Sequence, residues 1–415
     1  MKAVLVALGS AGDVHPFLAI GQALAARGHE VEILANPVIA ESVAQNRFAF
    51  TAVGTVGDFT RTIRHPLLWH PVNGFGVMWR GLLQPAIEPV YTRLAEIARE
   101  THCVVLASPV AFGARLAQEK LGVPLVCAYT AATMLRSVAD PLTIANWRVP
   151  TMLPSSARKL AWSLLDYFKL EPMAAPALNQ LRARIGLPPV SGSVFGHWMH
   201  SPLQGVTLFP DWFAAKAKDW PAGVSQAGFP LYDGDISRAE DHALDQFLEQ
   251  GAAPVVFAPG TAAVDTARFF GAAMGACARL KMRAILVGGD APLPGSRLSA
   301  DIHHTPYAPF GQLLKGARAV VHHGGVGTLA QALRAGIPQV TVPRAYDQFD
   351  NGMRLETLGV GSVLPHTKLS QEMLATALDD LLRDATVTGA CVEAKNKMDP
   401  ESARAAVCRV LEALQ

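Results

Sequence analysis

The chain is poor in charge and in cysteine for its length. Of 415 residues, 17% are Asp, Glu, Lys or Arg, the formal net charge is +2, and no dense Lys/Arg run occurs. Such a balance gives no support for a nucleic-acid-binding surface. The five cysteines (Cys103, Cys127, Cys277, Cys391 and Cys408) are scattered, and no Cys-x-x-Cys pair exists. That usage speaks for buried free thiols in a reducing compartment and against a disulfide framework or a zinc site. No run of 18 apolar residues is found, so no membrane-spanning helix is expected. The apolar start, Met1 to Leu8, is too short for a signal segment and is broken by Gly9-Ser10-Ala11-Gly12-Asp13. A complete dinucleotide fingerprint is also missing. The first loop is only Gly-x-x-Gly, and the second strand ends Leu34-Ala35-Asn36 without an acidic partner for a ribose, which argues against a nicotinamide cofactor.

Apolar residues, by contrast, make up half the chain, enough to bury two cores of roughly 200 residues each. Short continuous apolar runs at 2–8, 30–35, 102–107 and 124–128 alternate with helical patterns at 16–27, near 38–46 and at 110–121. This is the signature of a parallel sheet covered on both faces. Gly205 to Pro210 reads as the closing strand of the first domain. Pro221, Gly223, Pro230 and Asp233-Gly234-Asp235 supply turn chemistry at the change-over. A second alternation begins at Pro254 and runs through a strand at 318–322, a helix at 326–335, a strand at 338–342 and a helix at 348–358. The expected fold class is α/β, two Rossmann-like doubly wound domains facing a cleft. The expected division is 1–215, a linker at 216–240, 241–395, and a terminal helix at 396–415 packing back toward the first domain.

Several loops carry candidate chemistry. Asp13 stands where a general base for an acceptor hydroxyl would sit, or it caps the following helix; His15 is the rival base. In the second domain, His322-His323-Gly324-Gly325-Val326-Gly327-Thr328 joins a strand to a helix. Bare N–H groups, a hydroxyl and the helix dipole there suit a diphosphate. Either His322 or His323 faces it, because neighbours on extended backbone point opposite ways. Thr261, after Pro259-Gly260, brings a further hydroxyl. Tyr307 would stack on a nucleobase while the Ala308 backbone reads its edge, and Asp347 and Gln348 would bind sugar hydroxyls. Trp69, Phe75 and Trp79, with the helical insert 135–200, would form an apolar acceptor tunnel or pack as ordinary core, and Ser10 would contact the acceptor. The Asp233/Asp235 pair reads as a turn and not as a metal site.

With these residues assembled, the chain resembles the GT-B nucleotide-sugar-dependent glycosyltransferases (family 1 type), which include plant and antibiotic enzymes. His323-Gly324-Gly325-x-Gly327-Thr328, Ala335-Gly336-Ile337-Pro338-Gln339 and Asp347-Gln348 carry the resemblance, with Gly12-Asp13-x-x-Pro16 matching its bacterial branch. The plant-type His–Asp dyad does not carry over, since Asp13 takes the place of its His. More closely, the chain resembles the catalytic subunits of rhamnolipid rhamnosyltransferases, through Gly9-Ser10-Ala11-Gly12-Asp13-Val14, Trp198-Met199-His200-Ser201-Pro202, Asp219-Trp220-Pro221, Gly228-Phe229-Pro230-Leu231 and Asp347-Gln348-Phe349-Asp350-Asn351. That branch has Pro at the position of His323, which makes His322 its matching histidine.

The resemblance implies an inverting, metal-independent transfer with no cofactor beyond the nucleotide sugar, dTDP-rhamnose favoured and UDP-glucose the other donor. The acceptor would be a 3-(3-hydroxyalkanoyloxy)alkanoate lipid, the product a glycolipid biosurfactant. The setting would be cytoplasmic, with contact at the inner membrane face or a partner subunit supplying the lipid. Two other classes fit the same architecture. A sugar-nucleotide epimerase would turn over donor without acceptor, and a non-catalytic nucleotide-sugar-binding subunit would bind donor without turnover.

Overall fold

The computed structural model describes residues 1–415 apart from 145–146, 149, 151, 235–241, 261–262, 264–265 and 290–297. Contacts divide the chain into two units. The first comprises Met1–Thr143, Trp147–Tyr232 and Asp399–Gln415, and the second Ile144–Asn146 and Asp233–Met398.

The first unit holds a parallel seven-stranded sheet of β1 (Lys2–Ala7), β2 (Glu30–Ala35), β3 (Ala49–Ala52), β4 (Cys103–Ala107), β5 (Leu125–Tyr129), β6 (Gln204–Thr207) and β7 (Val224–Gln226). Its spatial order is β3-β2-β1-β4-β5-β6-β7. The expected closing strand, β6, is therefore not the edge: β7 pairs outside it, Gly205 opposite Val224, and carries the first unit past the expected boundary at 215. Val-Ser-Gln is too short and too polar a run to read as a strand. The central strands are buried along their length, as a sheet covered on both faces requires.

The second unit holds a parallel six-stranded sheet of β8 (Val255–Ala258), β9 (Ala284–Val287), β10 (Ile302–Thr305), β11 (Ala319–His322), β12 (Gln339–Thr341) and β13 (Gly361–Val363), ordered β10-β9-β8-β11-β12-β13. In both sheets the strand order reverses beside the first strand of the unit, at β1/β4 and at β8/β11. Crevices outside the carboxyl ends of strands at such reversals are where doubly wound folds bind ligands.

Helix α1 (Ala11–Ala26) leads from β1, α2 (Val326–Ala335) from β11, and α3 (Gln348–Thr357) follows β12. The last helix, α4 (Pro400–Glu412), starts with Pro at N1 and Asp399 accepting from Ser402 N, a capped entry. Its Val407, Cys408 and Leu411 belong to the same buried cluster as Leu5, Phe17 and Leu18 of the first unit. All five cysteines are buried free thiols. Among the described residues no helix is long and apolar enough to cross a membrane.

Candidate active site

In the first unit the chain leaves β1 through Gly9, at φ +136°, a conformation that L side chains rarely adopt. Ser10 is extended and begins α1, so Asp13 lies in the first helical turn and not in a loop ahead of a helix at residue 16. The first turn forms early because the Asp13 carboxylate takes up the start of the helix. Its Oδ2 accepts from Ser10 N at 2.8 Å and from Ser10 Oγ at 3.0 Å. A Cβ at Gly9 would stand 2.3 Å from that same oxygen, so only glycine fits. Asn36, at the end of β2 where a ribose-binding acid would stand, donates from Nδ2 to Gly9 O and accepts from Val38 N. It fastens the loop instead of reading a ligand.

Asp13 is half-buried, and burial raises its pKa above the usual carboxylate value against the opposing pull of the Ser10 hydrogen bonds. His15 moves the other way. Burial lowers it to about 4, and its ring packs 5.1 Å from that of Tyr232. A general base works best when its pKa approaches the working pH, so the shifts favour Asp13 over His15.

The expected acceptor aromatics occupy different places. Trp79 is fully buried, packed on Phe112 at 5.3 Å and Phe195 at 5.7 Å, and its Nε1 finds no hydrogen-bond partner among the described residues. It is a structural wall and does not line a tunnel. Phe75 is half-buried against Phe195, and Trp69 is half-buried. The helix Ser155–Leu165 buries none of its side chains, so this part of the 135–200 insert faces outward. A depression beside Gly9 holds about 30 Å³ and is lined by Leu8, Asn36, Val53, Thr55, Leu82 and Pro85 among others. It went unseen in the sequence because β3, whose end supplies Val53 to Thr55, was not legible as a strand. Trp79–Leu83, beside it, is a single π-helical turn, a feature frequent at functional sites.

In the second unit the two histidines separate cleanly. His322 is fully buried: Nε2 pairs with Gln339 Oε1 at 3.0 Å, and Nδ1 accepts from Gly324 N at 3.1 Å. Those partners require the neutral tautomer protonated on Nε2, and burial, with His323 nearby, lowers its pKa to about 3. His322 therefore holds the turn. His323 points into the loop cluster. A Cβ on Gly260 would lie 2.8 Å from its Cε1, and one on Gly325 2.4 Å from its Nε2. Its pKa is lowered by burial to about 4, with a backbone contact to Ala258 in opposition, and its Nδ1 makes no well-formed hydrogen bond.

Gly325 is the extended N-cap of α2. The N–H groups of Val326, Gly327 and Thr328 occupy the first turn, where helices have no internal acceptors to offer. Gly324, at φ +91°, abuts the Gln348 backbone, and Asn351 Nδ2 ties Gly324 O at 2.9 Å to Asp347 Oδ2 at 2.8 Å. Gln348 spends Oε1 on the N–H groups of Arg344 (2.9 Å) and Ala345 (3.2 Å). Asp347 and Gln348 are thus brought to the His323–Thr328 loop by hydrogen bonds that the sequence did not disclose. Tyr307 is 44% exposed, its carbonyl accepting from Thr305 Oγ1, while Ala308 is buried in the core. Thr261, Asp235 and Asp290 lie outside the described residues. Asp233 is engaged by the Arg334 guanidinium, with Nη1 2.9 Å from Oδ2. Among the described residues no group of three His, Cys, Asp or Glu side chains is placed to hold a metal.

Residues of the stretches on which the expected rhamnolipid resemblance rested hold the fold. Trp198 Nε1 donates to Glu119 at 2.9 Å, His200 Nδ1 meets Tyr129 OH at 2.9 Å, and Asp219 accepts from Val138 N at 2.6 Å.

Residues 3–140 match the glycosyltransferase family 28 N-terminal domain, and residues 285–414 match the erythromycin biosynthesis protein CIII-like C-terminal domain. The chain is 28% identical to O-mycaminosyltylonolide 6-deoxyallosyltransferase of Streptomyces fradiae, covering 92% of this chain and 90% of that one. It is 29% identical to the glycosyltransferase GtfE of Amycolatopsis orientalis, covering 93% and 91%. Among solved structures, the glycosyltransferase of kitacinnamycin superposes with a TM-score of 0.75 at 19% identity (99% and 98% covered), and VinC, in complex with dTDP, with 0.67 at 16% (100% of both). The fold is GT-B. With both halves of the chain matched by glycosyltransferase family models and with named glycosyltransferases among its relatives, this chain is a glycosyltransferase.

Proposed function

We propose that the enzyme is an inverting, metal-independent transferase that moves a deoxyhexose or hexose from a nucleoside diphosphate to the hydroxyl of a 3-(3-hydroxyalkanoyloxy)alkanoate-type lipid. dTDP-rhamnose is the favoured donor, with UDP-glucose second. One observation carries the chemistry: Asp13 is held in the first turn of α1 by two Ser10 bonds, both to Oδ2, in surroundings whose burial raises its pKa. In this reading Oδ1 takes the proton of the acceptor hydroxyl as its oxygen bonds to the anomeric carbon. The bond from that carbon to the diphosphate oxygen breaks on the opposite face. Negative charge grows on the leaving diphosphate, where His323, the Thr328 hydroxyl and the free N–H groups of α2 supply donors. The uncommitted Nε2 of Gln348 and the Asp347 carboxylate are the sugar-hydroxyl partners, and the exposed Tyr307 ring is the platform for the base. A nucleoside diphosphate is also what VinC and the Streptomyces enzyme SsfS6 hold in their structures.

The lipid acceptor rests on the resemblance to the rhamnolipid branch and on the depression at Gly9. Room for about one water there means that a chain-bearing acceptor has to part its lining. A second reading, a polycyclic natural-product acceptor, is favoured by the antibiotic and sterol glycosyltransferases among the relatives. Purified protein offered each donor with the hydroxyalkanoate lipid, a macrolide and a sterol decides the matter by product mass. A sugar-lipid product supports the first reading. Product only with the ring systems replaces it by the second.

A further inference from the structure

No side chain of the helix Ser155–Leu165 is wholly buried, but one stripe of it turns inward. Arg158 and Trp162 are half-buried and Asp166, one turn further on, is buried; spaced by four, they share a face. Arg136 meets this stripe from outside the helix. Its guanidinium lies 4.3 Å over the Trp162 ring, and its Nη2 donates to Asp166 Oδ1 at 2.7 Å. The Nε and Nη1 atoms of both Arg136 and Arg158 are buried and find no hydrogen-bond partner among the described residues. Asp166 is the only carboxylate among those residues bonded to either guanidinium, and its Oδ2 is taken by Ser193 Oγ at 2.7 Å. Glu171, the next acid, accepts from Val194 N at 2.7 Å and shares the Ser193 hydroxyl at 3.1 Å. Two guanidinium groups thus stand against one bonded carboxylate, with N–H donors left over. Buried donors without acceptors are costly, and each one in a native fold calls for an explanation.

Their position supplies one. Arg136 follows β5 through the turn Ala132–Leu135 and is held at φ +48°, a left-handed conformation that favours glycine. His200 Nδ1 meets the OH of Tyr129, the last residue of β5, at 2.9 Å, and after burial the charge of Arg136 helps to lower His200 to about 4. Arg136 therefore belongs to the same end of the sheet as Asp13, which follows β1. An aromatic layer links the two. Ser193 leads to Phe195, which packs on Phe75 at 5.4 Å and on Trp79 at 5.7 Å, and the turn begun by Trp79 brings Gly81 and Leu82 to the depression beside Gly9. A base at one end, an apolar layer, and unmatched cations at the other suit an amphiphile with a hydroxyl at one end and an acid at the other. We propose that Arg136 and Arg158 bind the carboxylate of the acceptor, so that a free acid group is part of what the enzyme recognises. This rests on the hydroxyalkanoate reading of the acceptor. A carboxylate brings the single negative charge and the acceptor-only oxygens that these N–H groups lack, and a sterol brings neither.

Turnover of the hydroxyalkanoate lipid is compared with that of its methyl ester, which keeps the hydroxyl and the alkyl chains and loses the charge. The wild type should prefer the acid by about tenfold or more in kcat/KM, through KM. Arg136→Met and Arg158→Met should each bring that ratio toward one. Arg136→Met also strips Asp166 of its ion pair, so Arg158→Met, with no bond to lose, is the cleaner variant. Its unfolding temperature should stay or rise, since it removes an unpaired buried cation, whereas loss of a merely structural residue would lower it. Equal use of acid and ester by the wild type, or an acid preference retained in Arg158→Met, overturns the proposal and leaves the acceptor reading standing. If neither lipid is turned over, the acceptor reading falls, and calorimetry with decanoate alone decides the site. Binding to the wild type and not to Arg158→Met supports an alkyl-carboxylate site, and no binding to the wild type overturns it.

Discussion

Ser10 holds Asp13 by one oxygen only, its backbone N–H and its hydroxyl converging on Oδ2 at 2.8 and 3.0 Å. The residue that starts the helix thereby also orients the candidate base. Asp13→Asn keeps the size of the side chain and removes the proton acceptor. Turnover should fall by roughly 10²-fold or more, the span of general-base effects, with donor affinity unchanged by calorimetry. Near-normal turnover would remove Asp13 from the mechanism.

The same pair sets a pH limb. Ser10 stabilises the carboxylate, so Ser10→Ala raises the Asp13 pKa further above its ordinary value. The base is then protonated at higher pH, and the acidic limb of the kcat/KM profile should move to higher pH. A limb that stays in place, or moves down, would assign it to another group.

Gly9 is the tightest point of the site. Gly9→Ala would put a methyl 2.3 Å from Asp13 Oδ2 and force a non-glycine residue to φ +136°. Activity should drop at least as far as in Asp13→Asn, because the carboxylate is displaced. Full activity in the alanine variant would mean that the carboxylate position is immaterial.

The two histidines should part in their phenotypes. His322→Ala leaves Gln339 Oε1 and Gly324 N–H buried without partners. It should destabilise the fold by about 3 kcal/mol, read as a lower unfolding temperature. His323→Ala should instead weaken donor binding roughly tenfold, the worth of one hydrogen bond of about 1–1.5 kcal/mol, with the unfolding temperature near wild type. Both histidines titrate well below the ordinary 6.5, at about 3 and about 4. Their contribution to stability is therefore complete above pH 6.5 and is lost as pH falls toward those values. His322→Ala should flatten this acid dependence; an unchanged slope would place its origin elsewhere.

EDTA should leave transfer intact. Asp233, the described member of the nearest carboxylate pair, is already paired with Arg334. Asp233→Asn should cost no more than about 1 kcal/mol of stability, as a half-exposed pair does, and leave turnover alone. Loss of activity in EDTA restored by Mg²⁺ would reopen the metal question.

The alternating architecture was legible where apolar runs were continuous: Glu30–Ala35 and Val326–Ala335 fall on the residues expected of them. Short strands such as β3 and β7 were not, because Ala49–Ala52 and Val224–Gln226 contain polar residues and form no continuous apolar run, and with β3 went the depression at its end. The glycine loops announced a phosphate site, yet the division of labour between His322 and His323 depends on Gln339, seventeen residues on and paired across the sheet. Trp79 misled because an aromatic in an amphipathic stretch reads alike whether it lines a pocket or closes a core. Only its contacts with Phe112 and Phe195, far along the chain, distinguish the two.

Because Val407, Cys408 and Leu411 complete a core begun by Leu5 and Phe17, the first unit is discontinuous in the gene product. During synthesis its sheet waits, with part of an apolar face uncovered, until residues 399–415 have left the ribosome. The second unit, encoded as a nearly unbroken stretch, has all its residues available earlier. A nascent chain of this enzyme is therefore at its most aggregation-prone in the interval before α4 emerges.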